Sequence, residues 1–291
     1  MSRQINTTTG ICFFKVTDPV SLEKFLSELS IDELQLKSSP DLAREWLRFG
    51  SLYLDGQRQI KETTFQPGQA LRLHTRRKSY WDETRDLTAH VVLDHPGFFV
   101  FDKPAGLPTH PTLDNFVENA QTLLSRQLGF KVYVTHRLDV ATQGLLIFAK
   151  TPECQRGLNR IFSRGRVKKK YRALTASPVT EGVHTHFINP EGRIPREVSS
   201  TPVADWWSCS LEVERCKPHE KGFLNDIRLI TGKTHQIRSQ LSHMGAAILG
   251  DEVYGSTKAW PPGGIALECL TLEFQLGPES FTVTRPKSLA K

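Results

Sequence analysis

The stretch His136-Arg-Leu-Asp-Val-Ala-Thr-Gln143 crowds His136, Arg137, Asp139, Thr142 and Gln143 directly before an apolar run, Gly144-Leu-Leu-Ile-Phe-Ala-Lys150. Catalytic side chains often sit where a buried strand fixes the backbone and a loop exposes a few reactive groups. The chemistry on offer is that of one carboxylate beside an arginine and a histidine, able to act as a nucleophile or to stabilise positive charge. Three further segments carry groups of interest. "KPAGLPTHP", from Lys103, has prolines and a glycine that stiffen a loop at a strand end. In "RGRVKKKYRAL", six of the nine residues from Arg164 to Arg172 are basic and Tyr171 is the lone aromatic. As a strand it places Val167, Lys169, Tyr171 and Ala173 on one face. It suits a solvated charged edge, or a site that holds a phosphate backbone and stacks one base.

The last segment, Thr231 to Gly255, begins Gly232-Lys233-Thr234, which looks like the end of a phosphate-binding P-loop. That motif needs a glycine five residues before Gly232, where this chain has Ile227, so the nucleotide reading is rejected. Instead Thr234 is expected to cap a helix with Ile237, Leu241 and Met244 on its apolar side, ending at Gly245. His235, Arg238 and Ser242 form a polar stripe beside them, which puts Arg238 where it can meet a carboxylate. His184 and His186 would share a strand face, but no third ligand lies nearby, and no metal site is expected. Trp206-Trp207 reads as core or interface.

The elements that must position these groups follow from local patterns. Leu22, Phe25, Leu26 and Leu29 recur at helical spacing. Ser39-Pro40 opens a second helix with Leu42, Trp46 and Leu47 that stops at Gly50. "SLYLDGQRQI" and "QALRLHTR" read as strands with Asp55-Gly56 as a turn. "GFFVFDKPAG", "KVYVT", "GLLIFAK", "VKKKYRAL" and "FLNDIRLI" are strands of a second region. Thr151-Pro152 begins a helix with Cys154, Leu158, Ile161 and Phe162 on its buried face. The expected organisation is a domain over residues 1–76, a polar linker over 77–87, and a larger domain over 88–291.

The chain has 291 residues, enough for such a division. Its net charge is +7, and the surplus is uneven. Residues 1–76 carry 10 Lys/Arg against 9 Asp/Glu, leaving 28 against 22 in the remainder. A basic surface favours a polyanion partner. Five cysteines without C-x-x-C spacing argue for a reducing compartment and against a disulfide framework or zinc knuckle. No signal pattern or membrane-length apolar run is present, and a cytoplasmic location is expected.

Taken in order, the four segments resemble the large pseudouridine synthase family that modifies rRNA and tRNA, whose signature is His-Arg-Leu-Asp followed by Thr, Gly and an apolar run. The resemblance covers roughly residues 88 to 255. Gln143 stands where the family usually has serine, and "ALECL" at 266–270 where His-Ala is more common. The helix, helix, short-strand order of residues 19–76 is similar to the alpha-L RNA-binding motif, with Arg44 and Arg48 on one face of the second helix. The resemblance implies an α+β fold, a mixed and largely antiparallel sheet flanked by helices and loops, with a small α/β alpha-L-like domain before it. It implies isomerisation of uridine in rRNA or tRNA, with no cofactor, because the reaction needs neither redox change nor group donor. Asp139 is then the nucleophile, Tyr171 stacks on the base, and Arg238 ion-pairs with Asp139. Arg137 fills the gap left by a flipped-out base, and His136, Lys103, Lys169, Lys170, Lys233 and His235 are the remaining expected RNA contacts. The partner is structured RNA, the protein is expected to be a monomer, and no membrane or metal is involved. The alternative is a catalytically silent RNA-binding or ribosome-assembly protein on the same fold.

Overall fold

The computed structural model describes residues 2–192 and 194–289. Two compact units emerge, Met1–Thr84 with His110–Leu123, and Arg85–Thr109 with Leu124–Lys291. In the first unit, strands β1 (Ser2–Asn6), β2 (Ile11–Lys15), β3 (Leu52–Leu54), β4 (Gln57–Gln59) and β5 (Ala70–His74) form an antiparallel sheet in the order β1-β2-β5-β3-β4. Helix α1 (Leu22–Ser27) is capped by Ser21, whose hydroxyl accepts the Lys24 N–H at 3.2 Å. Helix α2 (Pro40–Phe49) is capped in the same way by Ser39 on Leu42 and ends at Gly50, which has φ +60°. Caps of this kind are local chemistry, each worth about 1 kcal/mol, so these helices form where the sequence places them. Leu22, Leu26, Trp46, Phe65 and Leu71 meet in the core between helices and sheet. The hairpin β1–β2 has no sequence counterpart among the expected elements.

Residues 77–84, within the expected linker, are packed in this unit. Arg77 pairs with Glu45 at 2.5 Å and Glu118 at 3.2 Å, and Glu118 also accepts the N–H groups of Tyr80 and Trp81. Ser51 and Tyr53 donate to the carbonyls of Asp114 and Leu113, at 2.6 and 3.0 Å. Unpaired backbone carbonyls are costly when buried, and these bonds satisfy the 110–123 segment within the unit.

The second unit is built on a mixed sheet. Its strands are β6 (Val91–Asp94), β7 (Phe98–Lys103), β8 (Gln143–Ala149), β9 (Lys168–Thr175), β10 (Gly182–Ile188), β11 (Trp207–His219), β12 (Gly222–Leu229), β13 (Leu267–Leu276) and β14 (Glu279–Thr284). The main path runs β6-β7-β8-β13-β9-β12-β11-β10, with β14 on β13 and the short strand Tyr133–Val134 on β8. Phe98 to Phe101 and Leu145 to Ala149 are buried throughout, which explains why these strands read as continuous apolar runs without alternation.

All pairings are antiparallel except β8 with β13, which meet only through Gln143–Glu268 and Gly144–Cys269. This junction decides the site. Strand β13 takes β8, which follows the Asp139 loop, on one edge and β9, which carries Tyr171, on the other. The approach is close enough that a Cβ on Gly144 would lie 2.6 Å from Cys269 N and collide with its carbonyl oxygen, and Gly144 has φ +113°. Only glycine fits there.

Helix α3 (Pro152–Ser163) starts at Thr151, which accepts the Cys154 N–H at 3.2 Å. Leu158 is its fully buried residue, while Cys154, Ile161 and Phe162 are half-buried. Helix α4 (Gln236–His243) is buried from Gln236 to Leu241. Its N-cap is His235, with φ +59° and no side-chain cap bond, rather than the expected Thr234. The turn is instead closed by Gln236, whose Oε1 accepts from Thr231 Oγ1 at 2.9 Å and from the Lys233 N–H at 3.1 Å. No helix among the described residues is long and apolar enough to cross a membrane.

Candidate active site

A cavity of about 630 Å³ opens in the second unit between the Asp139 loop, β9 and the start of α4. Asp139, Arg137, Tyr171, Lys169, Lys233, His235 and Arg238 all line it. Asp139 is the only carboxylate among its lining residues.

The first two sequence segments hold the Asp139 loop together. Lys103 is 0% exposed, and its ammonium donates to the carbonyls of Pro104, Leu107 and Val140 at 3.0, 2.7 and 3.2 Å. Burial lowers its pKa to about 7. The Gly106 N–H donates to Val140 O at 2.9 Å. The Thr109 hydroxyl donates to Leu138 O at 3.0 Å and accepts the Leu138 N–H at 3.2 Å. Residues 138 and 140 are thus clamped on both sides of Asp139, while Thr142 N–H closes the turn onto Asp139 O at 3.1 Å.

Arg238 faces Asp139 from α4. Its Nη1 donates to Asp139 Oδ2 at 3.3 Å, and its other edge grips Asp251 through Nε at 2.7 Å and Nη2 at 2.9 Å. Burial alone would lower the arginine pKa, but the Asp251 hydrogen bonds and charge, followed by Asp139, hold it above its usual value. His235 accepts from Arg238 Nη1 at Nε2, 3.0 Å away, so its Nδ1–H faces the Tyr254 hydroxyl at 3.0 Å. Burial keeps this imidazole below its ordinary pKa, though Asp139 opposes the shift. The resulting arrangement fixes the guanidinium in rotation, so one edge is left for the Asp139 carboxylate.

Tyr171 is 6% exposed. Burial raises its phenol well above the usual range, helped by Cys269 and Asp139, so the group is neutral. Its strand neighbour Cys269 is pushed by burial to about 12. Thr142 also lines the cavity, and its buried hydroxyl has no hydrogen-bond partner among the described residues.

One expected RNA contact, Lys103, is corrected by its position. Lys103 spends its ammonium on backbone carbonyls and has no surface. His136 lines the cavity, accepts the Ile147 N–H at Nε2, 3.0 Å away, and packs against Phe162 at a 30° tilt with ring centres 4.4 Å apart. Burial, with the Lys169 charge, lowers its pKa to about 3, which leaves a neutral ring that supports the loop. Lys170 does not line the cavity and pairs with Glu214 at 3.2 Å. Its neighbour Lys169 does line it, as strand alternation requires. Lys233 keeps its place at the rim, with its ammonium 4.8 Å from the Trp207 ring centre. Trp206 and Trp207 are half-buried rather than core. Arg44 and Arg48 of the first unit pair with Asp41 at 2.5 Å and with Glu83. Among the described residues no group of three His, Cys, Asp or Glu is placed to hold a metal.

Asp251, Tyr254 and Thr142 were not assigned roles by sequence. Asp251 lies in "LGDEVYG" at the end of the fourth segment. A carboxylate beside a buried arginine was the available signal, but thirteen residues separate the two.

Comparison with known proteins gives the family. Residues 97–243 match the family model for RNA pseudouridylate synthase. The chain is 34% identical to an Arabidopsis thaliana protein named RNA pseudouridine synthase 6, chloroplastic, over 58% of this chain and 41% of that protein. A rice protein of the same name is covered over 40% of its length, so the chain spans about two-fifths of these relatives. It is 30% identical to the Xylella fastidiosa ribosomal large subunit pseudouridine synthase D, over 76% of this chain and 68% of that protein. The fold is similar to that of human RNA pseudouridylate synthase domain containing 4, with a TM-score of 0.57 at 20% identity, covering 70% of this chain and 90% of that one.

Proposed function

Since the chain belongs to the RNA pseudouridylate synthase family, we propose that it isomerises uridine to pseudouridine in a structured RNA, with Asp139 as the catalytic nucleophile. The observation that carries this reading is one carboxylate, held by a buried arginine, in a cavity otherwise lined by basic and neutral groups. A hydrolytic glycosidase would need two carboxylates, about 5–9.5 Å apart, across the scissile bond, and Asp251 is turned into Arg238 at 1% exposure.

The geometry supports the following division of labour. Asp139 engages C1′ as the N-glycosidic bond breaks, either by attack or by stabilising the positive charge there. Arg238 keeps the carboxylate aimed into the cavity. Tyr171, neutral and largely buried in β9, offers a face for the base, which must turn so that C5 can bond to C1′. Thr142 supplies a hydroxyl with hydrogen-bonding capacity free. Arg137, exposed in the loop, enters the space left by the flipped nucleotide. Lys169 and Lys233 meet phosphates at the cavity rim. Ribosomal RNA is the first substrate to test, given the name of the Xylella fastidiosa relative, which matches 76% of this chain; tRNA is the second. The first unit acts as an alpha-L-like RNA-binding domain, and the protein works as a cytoplasmic monomer.

The competing reading, a silent RNA-binding protein, predicts the same contacts without turnover. RNA labelled with tritium at uridine C5 separates the two, since only the isomerisation frees that hydrogen. Release by the purified protein supports the proposal. RNA binding with no release from either rRNA or tRNA contradicts it.

A further inference from the structure

A second concavity, of about 530 Å³, is lined by Gln143, Lys221, Trp260, Arg285 and Lys287. Strand alternation puts it on the other face of the sheet from the Asp139 cavity. Thr142 lines the first cavity and Gln143 the second; on β13, Leu267 lines the first, while Glu268 pairs with Arg285 of the second. Arg285 is neutralised by Asp102 at 2.7 Å and Glu268 at 2.5 Å. Lys287 forms no ion pair among the described residues, and Lys221 has only Glu220, at 3.9 Å. No carboxylate lines this concavity.

Trp260 is held in place as a platform. A Cβ on Gly250 would collide with the Trp260 Cβ, and Pro261 and Pro262 follow it. The Lys221 ammonium lies 5.6 Å from its ring centre. The loop carrying Trp260 abuts the Asp139 loop: a Cβ on Gly264 would lie 2.9 Å from the Ala105 Cβ, and the Ile265 N–H donates to Ala141 O at 3.1 Å. The platform is therefore anchored to the loop that presents Asp139.

We propose that this concavity is a second RNA site, which takes an unpaired nucleotide from a single-stranded extension of the substrate RNA, its base on Trp260 and its phosphates on Lys221 and Lys287. The volume suits one nucleotide, and an aromatic ring in a lysine-lined groove is the arrangement that binds single strands without reading sequence. The inference rests on the reading that RNA is the substrate.

The test compares wild type, Trp260→Ala, Trp260→Phe and the Lys221→Glu/Lys287→Glu pair on two RNAs. One is a short uridine-containing stem-loop and the other the same stem-loop with a single-stranded extension of about 16 nucleotides. On the extended RNA, Trp260→Ala binds about fivefold or more weakly, and Trp260→Phe keeps most of the affinity. The lysine pair lowers the slope of log K against log salt by about 1.4, two contacts at roughly 0.7 each. Affinity for the short stem-loop stays within about twofold, a change smaller than one lost stacking contact. Equal affinity of all four proteins for the extended RNA overturns the site, as it would if the concavity served an acidic protein segment. Tritium release from both RNAs is followed in parallel. Absence of release by wild type overturns the enzymatic reading, while the affinity comparison still decides the site.

Discussion

Arg238 is asked to do two separable things, and a pair of substitutions pulls them apart. It neutralises Asp251, which is 1% exposed, and it orients Asp139, which lines the cavity. Truncation by Arg238→Ala leaves Asp251 buried and unpaired, which costs about 3–5 kcal/mol when a buried partner is removed. The charge-assisted bond to Asp139 is lost as well, and activity falls by about a hundredfold or more, equivalent to about 2.7 kcal/mol. Adding Asp251→Ala removes the stranded carboxylate. The double variant is therefore more stable than Arg238→Ala alone by about 1 kcal/mol or more, a coupling typical of contacting residues, yet it is no more active. Arg238→Lys keeps the charge but lacks the two-edged fork that spans both carboxylates, so it falls between wild type and Arg238→Ala in rate. Stability is read by urea melts, and activity by tritium release under single turnover with enzyme in excess. Additivity of the two alanine effects within about 0.5 kcal/mol would show that the pair is not coupled. Recovery of activity in the double variant would remove Arg238 from the orientation of Asp139.

Two further outcomes follow from the loop and the strand junction. Lys103 has a folded pKa of about 7 against 10.5 for the free side chain, so the unfolded chain binds more protons between those values and stability rises with pH across that window. Wild type gains on the order of 2–3 kcal/mol from pH 7 to pH 9 that Lys103→Met does not gain; parallel pH dependences in urea melts of the two proteins would show that burial does not depress the Lys103 pKa. Gly144→Ala forces a collision with the Cys269 carbonyl at positive φ and destabilises by about 3 kcal/mol or more; a thermal midpoint equal to wild type would show that β8 and β13 can part without cost.

What sequence could reveal here followed the range of each interaction. Ser39 and Thr151 cap α2 and α3 as expected because a cap bond reaches only three residues. The Asp139 and Arg238 pairing came through a family resemblance, since 99 residues separate the partners. Lys103 read as a surface cation because lysines are rarely buried unless paired; its three carbonyl partners come from loops that sequence does not bring together. Lys170 was separable in principle, since alternation with Tyr171 already turned it away from the cavity. His235 at positive φ was not legible, because the bond that closes the turn comes from the Gln236 side chain. The 110–123 segment joins residues 51–58 and 77–81 across more than thirty positions, and nothing in its own composition announces it.

The central claim is that Asp139 performs the chemistry on bound uridine, and Asp139→Asn tests it most directly. The amide has the shape of the carboxylate but can neither attack C1′ nor carry the charge. Measured side by side with wild type, the variant should bind substrate RNA with unchanged affinity and retain less than about a hundredth of the tritium-release rate, a loss of more than about 2.7 kcal/mol. A variant that binds RNA normally and releases tritium at more than that rate would contradict the assignment.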